Sequence, residues 1–155
     1  MAKYLISFPA SAMNVPDEEM AAVGEASHAV IREAKDAGVY VFGGGINADV
    51  APLMVTADGT ATSETYPQTR EFDGGFCVLE LPSRESAVQW AARIAKACRC
   101  AQELREFGYD PESRPAGWIE SVPAPEDLYG KVTAGPAAAA DGRSVPAARR
   151  VVGRW

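Results

Sequence analysis

His28 is the single histidine of the chain and the one side chain whose ordinary pKa lets it gain and lose a proton near neutrality. On a helix it could serve as a general base beside a sheet edge. Helical spacing sets Glu25 and Arg32 three and four residues away and keeps His28 off the core-facing stripe, which also suits an ordinary surface histidine with local ion pairs. Asp49 and Asp58 are carboxylates that a sheet could bring towards it, and His28 with Asp49 makes the best available acid–base unit. A second constellation lies in the segment ETYPQTREFDGGF, residues 64–76. There Arg70 could grip a carboxylate or phosphate through its planar fork, and Glu71 could orient that group or accept a proton. Tyr66 stands just before them, and Gly74, Gly75 and Phe76 would leave main chain exposed above a small cleft. An ion-paired loop leading into a strand is the plainer account of the same residues.

Gly43-Gly44-Gly45 would let a ligand approach the backbone closely, with Gly44 at the centre. The run lacks the spacing of a dinucleotide fingerprint and the lysine of a phosphate loop, so nucleotide cofactors are not expected. A strand end, a bulge or a tight turn also accounts for it. The three cysteines, Cys77, Cys98 and Cys100, do not have the Cys-x₂₋₄-Cys spacing of a zinc site, and no second ligand pair is present. They read as small buried hydrophobes; no metal and no cofactor are expected.

These residues need elements to hold them. AKYLISF (2–8) reads as a strand, and Pro16-Asp-Glu-Glu opens a helix with proline and carboxylates in its first turn. Met20, Val23, Ser27, Val30, Ile31 and Ala34 then share one helix face, and Gly38 ends the helix. Strands follow at 39–42 and 50–57, with an Asp58-Gly59 turn and a short return strand or irregular arm over 60–66. GGFCVLEL (74–81) is a further strand. Ser83 caps a helix from Arg84 to about Cys98, with Ala87, Ala91, Ile94, Ala95 and Cys98 inward. CAQELREF (100–107) permits either a helical extension or a last strand, and the element order favours the strand. The order β-α-β-β-(β)-α-β gives a ferredoxin-like α+β domain, an antiparallel sheet with two helices on one face. Its other face needs a cover, which a homodimer with packed sheets would supply.

Composition sets the class. In 155 residues, 47% are hydrophobic, enough for one core and little more. The formal charge of −6 argues against binding nucleic acid or anionic lipid. No apolar run approaches the roughly 20 residues of a membrane span. The first residues read as a strand rather than an export signal, so a cytoplasmic location is expected. Residues 1–109 form the domain. Residues 110–155 form a Pro- and Ala-rich extension that wraps or lies loose, with Trp118-Ile119 as a possible anchor.

The frame KYLISF, AKDAGVYVFGGG, VTADG and ETYPQTREFDGGFCVLELPSRESAVQWAARIAKAC resembles the YCII-related proteins over roughly residues 2–108. It is most similar to their branch named for an Asp-Gly-Pro-Phe motif, although that tetrapeptide falls here at Ser63-Glu64-Thr65-Tyr66. The resemblance implies a ferredoxin-like, dimeric α/β-barrel type of protein that pairs through its sheets. In some members a histidine and an aspartate share a pocket; His28 is near the corresponding position, one residue closer to Gly38. Arg70, Glu71, Gly74, Gly75 and Phe76 match the branch and would line its cleft. Two functional readings follow. One is a homodimer binding a small polar or anionic organic molecule, with isomerase- or lyase-like acid–base chemistry. The other is a non-catalytic accessory or regulatory domain with an apolar contact patch near Trp118.

Overall fold

The computed structural model describes residues 1–113. Its main body, Met1–Phe107, is an α+β unit, and Gly108 opens a separate one, of which Pro111–Ser113 form a single helical turn. The expectations for Trp118-Ile119 and for the extension beyond residue 113 fall outside the described residues. The body runs β1 (Ala2–Phe8), α1 (Met20–Asp36), β2 (Tyr40–Gly45), β3 (Met54–Val55), β4 (Ala61–Thr62), β5 (Gly75–Leu81), α2 (Arg84–Cys98) and β6 (Glu103–Glu106). Four strands form one antiparallel sheet in the order β2-β5-β1-β6, and β3 pairs with β4 in a separate hairpin.

Opposed residues on antiparallel strands point to the same face, so the register sorts the side chains. Tyr4 opposite Leu79 and Ile6 opposite Cys77 face the helices, where Ala34 of α1 and Ala87, Ala91, Ile94 and Cys98 of α2 complete the core. Ile6, Leu79 and Leu81 are almost wholly buried, each worth about 1.5–3 kcal/mol of transfer free energy. Leu5, Ser7, Phe76, Val78 and Phe42 share the opposite face. There the rings of Phe42 and Phe76 lie 5.7 Å apart and those of Phe72 and Phe76 5.8 Å apart, with Phe42 and Phe72 half exposed.

Local chemistry sets the element ends. Ser83 Oγ accepts the Ser86 N–H at 3.2 Å and starts α2. Gly38, with φ +70°, turns the chain out of α1, whose last turn is closed by Gly38 N–H donating to the Lys35 carbonyl. The Pro16 segment forms a separate 3₁₀ turn, Asp17–Glu19, before α1 begins at Met20. The expected strand over 50–57 shrinks to Met54–Val55, because its hairpin partner is only Ala61–Thr62. Asp58 fixes the turn between them, accepting from the Thr56 hydroxyl at 2.6 Å and the Thr60 N–H at 3.0 Å, which holds its carboxyl down at about 2. On α2, Ala97 is buried where Ala95 was expected to be, and Ala95 is half-buried. The last segment is a strand, since β1 offers it an open edge from Tyr4 to Ser7.

Candidate functional site

The glycine run does not end β2; the strand continues through it to Gly45, with a register shift between Tyr40 and Phe42. Gly43 stands opposite Cys77 and Gly45 opposite Gly75, which places Gly43, Gly45 and Gly75 on the helix-facing side of the sheet, while Gly44, opposite Phe76, is on the other side. A side chain at 43 would point there: an added Cβ would come within 3.5 Å of Cys77 Cβ and 3.1 Å of the Phe76 carbonyl oxygen. Where neighbouring positions carry core side chains, this corner of the sheet has bare main chain. Across from it α1 presents Gly24 and Ser27, also small. Small residues on both walls leave a cavity of about 860 Å³ between α1 and the sheet.

His28 from α1 and Asp49 from the loop after β2 both line this cavity, as do Gly44, Gly74, Gly75 and Phe76. His28 and Asp49 are exposed at the rim and do not hydrogen-bond to each other. Asp49 is held by an Asx turn, its N–H donating to Asn47 Oδ1 at 3.0 Å. The expected neighbours of His28 pair with one another instead, Arg32 to Glu25 at 2.6 Å, and that guanidinium lowers the Glu25 carboxyl. The cavity's interior is apolar, built from Ile6, Phe8, Val23 and Cys98. Burial pushes the Cys98 thiol up and the Cys77 thiol to about 12, so neither supplies a thiolate at neutral pH.

Arg70, Tyr66 and Glu71 lie elsewhere. Arg70 ends the 3₁₀ turn Pro67–Thr69 in solvent, and Tyr66 precedes that turn, 67% exposed; neither lines the main cavity. Glu71 lines a smaller cleft of about 170 Å³ on the other side of the Gly74-Gly75 ribbon, with Phe72, Glu103 and Arg105. The structure thus brings His28 and Asp49 to one cavity with the glycines and leaves Arg70 outside it, while Glu71 joins Gly74, Gly75 and Phe76 in the smaller cleft. Asp73, a carboxylate of the function-like segment 64–76, reaches the main cavity, where sequence reasoning missed Lys35 and Tyr40. Asp73 accepts the Ala10 N–H at 2.9 Å, tying the loop after β1 to the approach to β5. Lys35 lays its ammonium 5.0 Å from the centre of the Tyr40 ring, and the Tyr40 hydroxyl, raised in pKa by burial, donates to the Gly43 carbonyl at 3.4 Å.

Among the described residues no group of three or more His, Cys, Asp or Glu side chains could hold a metal ion. No described helix is long and apolar enough to cross a membrane. The model of the YCII-related domain matches residues 2–106, which is most of the chain and contains every wall of the cavity. The chain belongs to the YCII-related family. No curated protein matches this YCII-related chain, so its cavity has to be read from its own residues.

Proposed function

We propose that this YCII-related protein binds a small organic molecule in the cavity under α1 and performs acid–base chemistry on it, of the isomerase or lyase kind. The observation that carries the reading is the convergence of His28 and Asp49 on one cavity whose floor is bare glycine main chain. In this reading the His28 imidazole acts as general base and the Asp49 carboxylate orients the bound molecule. Glu71 and Arg70 stand outside this unit and are not needed for it.

The same reading takes the protein as a ferredoxin-like homodimer of the dimeric α/β-barrel type, from the branch named for Asp-Gly-Pro-Phe. Support comes from the exposed aromatic face of Phe42, Phe72 and Phe76, which a second sheet would cover. A cytoplasmic setting suits three unpaired thiols. The test is a ligand-observed NMR screen of small hydroxy and carbonyl compounds, uncharged and carboxylated, against wild type, His28→Ala and Asp49→Ala. Hits should be turned over by wild type and bound but unchanged by both variants. A hit converted equally well by all three proteins would remove the acid–base assignment.

A further inference from the structure

The charges and the apolar surface of the cavity are segregated. His28, Lys35, Asp49 and Asp73 are exposed at its rim, whereas Ile6, Phe8, Val23, Cys77 and Cys98 line its depth with almost no exposure. Two carboxylates at the rim face one ammonium, which already lies against the Tyr40 ring. That is a poor site for a compact anion, which needs converging cations or amides. The floor has a definite shape. Gly43 and Gly45 are two residues apart on β2, about 7 Å, and Gly75 lies about 5 Å across on β5, so three adjoining positions form a flat main-chain platform the size of one six-membered ring.

The platform is also polar at one border. Ile46 N–H donates to the Gly74 carbonyl at 2.8 Å, and antiparallel pairing alternates, so Gly44 directs its hydrogen-bonding groups to β5 and Gly43 and Gly45 direct theirs to the outer edge of the sheet. The Tyr40 hydroxyl reaching the Gly43 carbonyl agrees with that direction. β2 is an edge strand of the four-stranded sheet, so these groups border the cavity.

We infer that the cavity takes a flat, uncharged molecule with an apolar ring body and a hydroxyl or carbonyl substituent, its ring face on Gly43, Gly45 and Gly75 and its substituent towards His28 and Asp49. This deepens the small-molecule reading above and rests on it. A volume of about 860 Å³ admits a fused ring system or a ring with a short chain. Gly24 lines the same cavity, and an added Cβ there meets nothing within 4 Å, so α1 accepts a side chain at a cavity-lining position.

The experiment titrates the full ¹⁵N-labelled chain with 2-naphthol and, separately, with malonate, and repeats the 2-naphthol titration on Gly24→Leu. The expected result is saturable movement of the Gly24, Gly43, Gly45 and Gly75 amides with 2-naphthol and none with malonate. Gly24→Leu should weaken 2-naphthol at least tenfold while melting no lower than wild type, since leucine replaces glycine inside a helix. The wild-type titration decides independently of the variant. Malonate moving these amides while 2-naphthol does not would overturn the inference and leave a small-molecule site standing. No movement with either probe would overturn both. Naphthol shifts confined to Phe42, Phe72 and Phe76 would place its binding on the other sheet face and overturn the inference alone.

Discussion

Gly74 sits where three pieces of main chain meet, and replacing it with alanine should be costly. An ideal Cβ at Gly74 would lie 2.0 Å from the Phe8 carbonyl oxygen, 2.8 Å from the Ala10 nitrogen and 2.8 Å from the Pro9 carbonyl carbon. None of these is a side-chain tip that can swing away. Relief requires the 8–10 segment and the 74 ribbon to part by about 1 Å, which strains two hydrogen bonds: Ile46 N–H to the Gly74 carbonyl at 2.8 Å and Ala10 N–H to Asp73 at 2.9 Å. Losing both costs about 2 kcal/mol, and overpacking adds about 1–3 kcal/mol. A destabilisation of about 3–5 kcal/mol corresponds to a fall of roughly 15–20 °C in melting temperature for a body of this size. Gly44→Ala is the control, because an added Cβ there meets nothing within 4 Å; its melting temperature should stay within about 2 °C of wild type. Thermal unfolding followed by circular dichroism reads both. Gly74→Ala melting within 3 °C of wild type would show that the 8–10 segment yields freely, and the reasoning about a rigid ribbon between the two cavities would fall.

The buried thiols make stability fall in alkali: with the Cys77 pKa raised to about 12 from 9.0, its contribution is complete below pH 9 and is lost as pH rises towards 12. At pH 10 a single thiol blocked from ionising costs about 1.4 kcal/mol, so urea unfolding of wild type should lose about that much more than Cys77→Ala between pH 8 and pH 10; equal losses would refute it. For the same reason native protein at pH 8 should react with Ellman's reagent far more slowly than unfolded protein, with half-buried Cys100 the first of the three to react. Ser83→Ala removes the cap of α2 and should cost about 1 kcal/mol, with Ser83→Asp restoring most of it in urea titrations. Under the homodimer proposed above, wild type should sediment as a dimer and Phe42→Asp on the exposed aromatic face as a monomer with its helical circular dichroism signal kept; a monomeric wild type would refute that proposal.

Much of the fold was legible because local signals agreed with tertiary demand. Ser83 and the spacing from Ala87 to Cys98 bound α2 without ambiguity. The 100–107 segment had no decisive local signal, and the open edge of β1 settled it as a strand. Glycine's poor strand propensity hid the end of β2, since only the ladder to Cys77, Phe76 and Gly75 keeps residues 43–45 extended. The site divides the same way. His28 and Asp49 could both be named from sequence by residue type, and the structure puts both on the lining of one cavity. Arg70 could not be placed, because the direction of an exposed loop is set by contacts far from it in the chain. The cavity itself left a trace that was read too narrowly. Three glycines on one strand suggested close approach to the backbone, but only the register reveals that two of them face Gly24 and Ser27 across an open space.

The first strand of the chain is also an inner strand of the sheet, pairing with β5 on one side and β6 on the other. During synthesis β1 emerges first, yet neither partner exists until residues 75–106 have been made. At about 5–20 residues per second the nascent chain spends several seconds with AKYLISF unpaired, and α1 can form only as a lone marginal helix. Both ladders of β1 close long loops, which makes folding slow for a chain of this size and late in translation. A ribosome stalled before Glu103 would therefore present an apolar strand with one bare edge, and such a nascent chain would be a natural client for a holding chaperone.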